Sequence, residues 1–276
     1  MATFFETVTA AIRDFEENGF DSVERLQYWT DLIRRAAAES LTPESVMNEQ
    51  LTRALGSIYK RMVDDGQILK KHPGVPRFTI DRLKPRLRGE LDRRMMVSRS
   101  LIKLNREAMV EKTTQRFAGW ASSIPAGGSR AVETKDVKDN IRKALTSLSF
   151  EERRCVIDQS AKFVSSLNDI IATDGGAIAA RWHSQFRRAG YNFRPDHKER
   201  DGRVYAIRGN WAIEKGLMKV GPAGYTDQIT QPAEEVYCSC SYEYLYNLRD
   251  LPDEMITQKG KDELAAVRAK IAAMRA

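Results

Sequence analysis

The chain has 276 residues, 42% of them hydrophobic, and a formal net charge of +7. That is enough apolar chain for one large domain or two modest ones, which excludes wholesale disorder. No run of about 18 apolar residues exists, so no membrane span is expected; the opening residues Met1 to Glu6 show no basic stretch followed by an apolar one, so no secretory signal is expected either.

The expected elements run helix after helix. The first spans Phe4 to Asn18, with Thr3 as N-cap and Glu6 as its capping-box partner. Gly19 stops it, and Asp21 with Glu24 caps a second helix whose apolar stripe is Val23, Leu26, Trp29 and Ile33. Thr42-Pro43 starts a third, with Leu51, Leu55, Ile58 and Met62 at helical spacing. Gln67 to Phe78 is a break containing His72-Pro73-Gly74-Val75-Pro76. A long helix follows from Thr79 to Ser122, with Pro85 and Gly89 as candidate kinks, and Ile124 to Ser129 is the best linker. Two more helices carry Val137, Ile141, Leu145 and Leu148, then, capped by Ser149 with Glu152, Val156, Phe163, Leu167 and Ile170. Asp174-Gly175-Gly176 ends the second of these, and a further short helix leads to His183.

The texture changes from Tyr191 to Leu248, where aromatics, glycines and prolines become frequent. Arg203 to Ile207 and Val236 to Cys240 read as strands, and Lys261 to Met274 as a final helix with Leu264, Val267, Ile271 and Met274 on one face. The expected fold class is mainly α: a helical N-terminal and central region with a small α+β module near the C-terminus. The expected segments are a helical region over 1–125 with a basic long helix, a helical connector over 126–180, the α+β module over 181–250 and a C-terminal helix over 251–276.

Chemistry concentrates in that module. His183, His197, Cys238 and Cys240 would supply the four nitrogen and sulfur donors that zinc prefers. A Cys-x-Cys pair on a strand puts both sulfurs on one face. The competing reading makes Cys238 and Cys240 small buried residues and the histidines incidental. Three cysteines cannot all pair, and a Cys238–Cys240 disulfide would be strained, so a reducing compartment is expected. His197 with Asp201 could form a general base and its orienting carboxylate in a metal-dependent nuclease. Against that, Asp201-Gly202 is first a turn dipeptide, and no second Asn or His partner is evident.

A basic run forms the third candidate. Arg82, Lys84, Arg86, Arg88, Arg93 and Arg94 are followed by Arg99, Lys103 and Arg106, with Glu90 and Asp92 opposing them. On a helix Arg82, Arg86 and Arg93 share a face that could track phosphates. A solvated face, or one meeting an acidic protein, is the alternative. Cys155 reads as a buried small hydrophobe, Met95 and Met96 as core filler, and His72 has no evident partner. No phosphate loop, dinucleotide-binding glycine set or nucleophile elbow is present.

Taken in order, Trp182, Arg194-x2-His197, Asp201-Gly202, the aromatic Tyr205, then Pro232 and Cys238-Ser239-Cys240 resemble the phage Mu F-like head morphogenesis family, the minor head proteins of tailed bacteriophages. The likeness covers roughly 177–248. Serine stands where the family pattern has arginine between the cysteines, and tyrosine where it has asparagine before them. The resemblance implies a non-enzymatic, low-copy capsid component at the portal vertex, acting in head morphogenesis or genome delivery. Its implied partners are the portal protein, the major capsid protein and packaged double-stranded DNA, with several copies around the portal. It implies residence in the host cytoplasm during assembly and then in the virion. The family pattern falls on Arg194, His197, Asp201, Gly202, Cys238 and Cys240, implying a structural cluster, metal-stabilised by zinc, rather than an active site. The alternatives are the nuclease above and a non-catalytic helical DNA-binding protein.

Overall fold

The computed structural model of the protein describes residues 3–125, 128 and 134–275. It is mainly helical, with a small three-stranded antiparallel sheet in its C-terminal region. Among the described residues no helix is long and apolar enough to cross a membrane. Ala126, Gly127 and Ser129 of the expected linker lie outside the described residues, as does the side chain of Ser149.

Helix α1 spans Phe4–Asn18 and is closed by the expected capping box: the Glu6 N–H donates to Thr3 Oγ1, and the Thr3 N–H donates to the Glu6 carboxylate at 2.7 Å. Helix α2, Val23–Glu39, is capped by Ser22 rather than Asp21. The Ser22 hydroxyl accepts the Arg25 N–H, while the Asp21 carboxylate is drawn instead to the Arg25 guanidinium at 2.8 Å. Helix α3 covers Glu44–Tyr59, starting just past Pro43, and continues into a π turn at Lys60–Asp64. The expected break holds a 3-10 turn, Gln67–Lys71. Helix α4, Arg77–Ala121, is helical through Pro85 and Gly89.

Helix α5, Thr134–Asp174, is one 41-residue helix where two were expected. Glu152 does not turn back to cap a new helix; its carboxylate is buried against Arg106. The short helix expected before His183 is strand β1, Ala179–His183. Alanine's helical preference is overridden there because the segment pairs on both edges, with β2 (Val204–Ala206) and β3 (Ser241–Leu245). The remaining helices are α6 (Pro195–Glu199), α7 (Trp211–Glu214) and α8 (Gln258–Arg275).

The chain forms two compact units. The first is built from 1–52 and 96–156. Its core is Val8, Ala11, Ile12 and Phe15 of α1 against Ile33, Phe117, Ala121 and Ile141. Phe15 meets the Phe117 ring edge-on at 5.8 Å, and Trp29 donates its indole N–H to Asp14 at 2.7 Å. Met96 stands exposed rather than filling a core, and Cys155 is buried as expected.

The second unit is built from 53–95 and 157–276 and contains the sheet, ordered β2-β1-β3. Strand alternation gives the sheet two different faces. On one, Ala179, Val204, Ala206 and Leu245 pack with Met218, Leu251 and Met255. On the other lie Ala180 and Tyr244 against Ala172 of α5, and Trp182 and Tyr205 against the two cysteines. His72 has partners after all: it is fully buried, with Nδ1 2.6 Å from Tyr246 Oη and Nε2 3.0 Å from Asn168 Oδ1.

Candidate metal centre

The arrangement starts at Arg194-Pro195. Proline at the first helical position starts the single-turn α6 and sets His197 near its end. The His197 ring is buried edge-on against Trp182, with centroids 5.2 Å apart. Trp182 is the cross-strand partner of Tyr242, which meets it at 5.6 Å.

The expected strand over Val236–Cys240 is instead a loop, and β3 begins only at Ser241. The loop is turned by Tyr237, whose φ is +61°, and by Ala233 at +64°. These left-handed conformations are uncommon for residues with a side chain and persist only where the surroundings fix them. They are fixed here by Asp158 of α5, which accepts the Tyr237 N–H at 2.6 Å, and by Tyr191, whose hydroxyl accepts the Ser239 N–H at 3.1 Å. Turn geometry, not strand alternation, brings the two sulfurs together.

His197 Nδ1 lies 3.5 Å from Cys238 Sγ and 3.5 Å from Cys240 Sγ. All three donors fall within 4.8 Å of one another and are buried. A tetrahedral zinc ion about 2.0 Å from nitrogen and about 2.3 Å from sulfur requires an N···S edge of about 3.5 Å. An S–H···N hydrogen bond has a similar length, so the spacing fits a thiol–imidazole contact as well as a bound ion. The cluster can hold a metal ion such as zinc.

The neighbours suit that use. Cys238 Sγ accepts the Ala233 N–H at 3.4 Å. The Cys240 thiol bonded to its sulfur pulls the Cys238 pKa down, despite burial; the same contact pushes the Cys240 pKa up. The pair therefore loses a first proton readily and resists losing the second without a cation to balance two thiolates. On the far side of the ring, His197 Nε2 is 3.6 Å from Glu235 Oε2 and 3.8 Å from Asp196 Oδ2. Arg194 holds Glu235 by an ion pair and donates to the Val236 carbonyl at 2.9 Å, so it ties the helix start to the cysteine loop.

Other candidates fall elsewhere. His183 is not part of the cluster: it follows Trp182 in β1, so its side chain leaves from the opposite face and reaches Glu243 at 3.1 Å in an exposed position. Asp201 accepts the Ser184 N–H at 2.8 Å and the Arg187 guanidinium at 3.3 Å, and makes no hydrogen bond to His197 among the described residues. Gly202, at φ +78°, makes the turn into β2 and donates to the Trp182 carbonyl at 2.8 Å. Glu235 and Ala233 escaped the sequence reading; a carboxylate three residues before a Cys-x-Cys pair was the available signal for the first.

The basic run is largely engaged. Lys84 pairs with Asp81, Arg86 with Asp174, Arg88 with Asp92, and Arg93 with Glu90. Arg94 is nearly buried, bonded to Glu90 and Ser166, and so leaves the surface stripe. Arg82 is exposed and makes no ion pair among the described residues. Arg106 is buried with Glu152.

No protein-family model, curated protein or solved structure matches this chain.

Proposed function

We propose that the chain is a bacteriophage minor head protein of the Mu F-like kind, without enzymatic turnover, whose C-terminal module is held together by zinc on His197, Cys238 and Cys240. One observation carries this reading: the scattered residues of the motif gather around one small module. His197, Cys238 and Cys240 supply the donors. Arg194 braces the cysteine loop through Glu235 and Val236. Asp201 and Gly202 fix the C-terminal end of β1 through Ser184 and Trp182. Each of these six residues therefore has a structural contact within the module.

The module has reason to use a staple. Its strands are three to five residues long, and 184–203 and 207–240 are mostly loop. Little regular structure resists opening there, and a bound metal adds its binding free energy to folding. Zinc in this role organises side chains and carries no reaction. On this reading the partners are the portal protein and major capsid protein, with packaged double-stranded DNA nearby, in host cytoplasm and then in the virion. The nuclease reading gains nothing, since Asp201 is bonded away from the His197 ring.

The test is quantitative mass spectrometry of purified particles carrying this chain, with zinc measured on the isolated protein. A few copies for each portal ring, and one zinc for each chain, are expected. Absence from particles that contain portal and coat protein overturns the virion assignment. Metal-free protein that keeps full stability overturns the staple.

A further inference from the structure

Zinc held only for structure normally takes four protein donors, whereas three protein donors leave one position for something else. Among the described residues His197, Cys238 and Cys240 are the only group that meets. His183, the fourth candidate from the sequence, is committed to the opposite face with Glu243. The nearest carboxylates, Glu235 and Asp196, lie beside Nε2, while Nδ1 is the ring atom that faces the sulfurs.

Two further observations concern the space around the donors. Cys240 forms part of the wall of a cavity of about 280 Å³, with Lys71, Asn168, Ser239, Tyr242 and Tyr244 also in that wall. At and next to the cluster, the buried polar atoms without a hydrogen-bond partner include Trp182 Nε1, Tyr242 Oη and, on the far side of the ring, His197 Nε2. Trp182 is in contact with the His197 ring, and Tyr242 with Trp182. Indole N–H is only a donor, and burying it unpaired is unfavourable. Such groups are usually satisfied by something bound beside them. Two thiolates and a neutral imidazole already balance a divalent cation, so the fourth position needs no third protein anion. It suits a small donor carrying at most one negative charge, and Lys71 in the cavity wall favours the anionic kind.

We propose that the His197–Cys238–Cys240 centre binds a small exchangeable ligand, a monodentate anion of azide or thiolate size, which enters from the cavity beside Cys240 and completes the metal's coordination. This rests on the metal reading above and adds that the centre is a ligand-binding site as well as a staple.

The experiment uses the full chain loaded with cobalt(II), whose spectrum reports sulfur ligation and coordination separately. An intense sulfur-to-cobalt charge-transfer band is expected, with ligand-field bands of a four-coordinate site. Sodium azide should shift the ligand-field bands saturably while the charge-transfer band persists. Tyr242→Phe should bind azide roughly fivefold more weakly with its cobalt affinity unchanged, from one lost hydrogen bond. Ligand-field bands that stay fixed at high azide, with the charge-transfer band present, mean that the protein closes the site itself, and they overturn this proposal alone. Absence of the charge-transfer band overturns the metal reading on which it rests.

Discussion

Burial of His72 makes the second unit acid-sensitive in a calculable way. Asn168 orients the ring: its Nδ2 donates to the Val164 carbonyl at 2.7 Å, so its Oδ1 is free to accept from His72 Nε2. Nδ1 must then be the unprotonated nitrogen, accepting the Tyr246 hydroxyl. This is the neutral imidazole, and a second proton has no site without reversing the Tyr246 hydrogen bond. Desolvation by burial pulls the His72 pKa down to about 4, against 6.5 for a free imidazole. The unfolded chain therefore binds the proton first, and stability falls as pH drops below 6.5. The loss attributable to His72 is about 2 kcal/mol at pH 5 and about 3 kcal/mol at pH 4. Above pH 7 it contributes nothing to the slope. The assay is urea unfolding of wild type and His72→Gln from pH 7.5 to 4, with a ring NMR titration of His72. The variant should start less stable and lose less on acidification, by that difference. A His72 titrating near 6.5, or parallel pH profiles for the two proteins, would refute the argument.

Glu235→Gln should weaken zinc binding roughly tenfold in a chelator competition, because it removes the carboxylate 3.6 Å from His197 Nε2 and loosens the Arg194 brace on the cysteine loop. Arg106→Leu strands the buried Glu152 carboxylate and should cost the first unit about 3–5 kcal/mol, read by the fluorescence of Trp29 and Trp120 in urea. The double variant Arg106→Leu with Glu152→Leu should recover most of that loss. If it does not, hydrophobic packing at the site is wrong for this explanation. Gly260→Ala places a Cβ 2.1 Å from the Leu217 carbonyl oxygen and 2.9 Å from Ile256 Cγ2. It should cost about 1–3 kcal/mol and speed amide exchange at Thr257 and Lys261; unchanged exchange there would count against close packing of α8.

Where the sequence could be read, the information was local. The Thr3–Glu6 box is complete within four residues, and α1 begins and ends where its cap and Gly19 dictate. The long helix expected over Thr79 to Ser122 is α4, and apolar periodicity marked α5 as helix, although α5 was split in two because Ser149 with Glu152 reads as a cap. Features that depend on distant partners were not readable. Ala179–His183 is a strand only because β2 and β3 flank it. His72 finds Asn168 and Tyr246 96 and 174 positions along the chain. The metal cluster lies between these cases. Its donor types were visible, and three of the four named residues converge. Strand alternation was the wrong reason for the cysteines, and the fourth residue's face depended on the register of β1, which only the folded sheet fixes.

The basic stretch shows how a charge count can mislead about a surface. In sequence, Arg82 to Arg94 is six cations against Glu90 and Asp92. In the folded unit Asp81 and Asp174 join those two acids, and five of the six cations sit in ion pairs. Exposed pairs of this kind are weak, about 0–1 kcal/mol each, so a phosphate could displace a carboxylate from Lys84, Arg86 or Arg88. It could not readily do so at Arg94, where the side chain is nearly buried on Glu90. Each displaced pair also cancels part of the electrostatic gain from the phosphate. Affinity of this face for DNA should therefore show a salt dependence shallower than six contacts would produce. With Arg82 the one exposed cation of the six without a carboxylate among the described residues, the chain's net charge of +7 must be sought mainly outside this stripe.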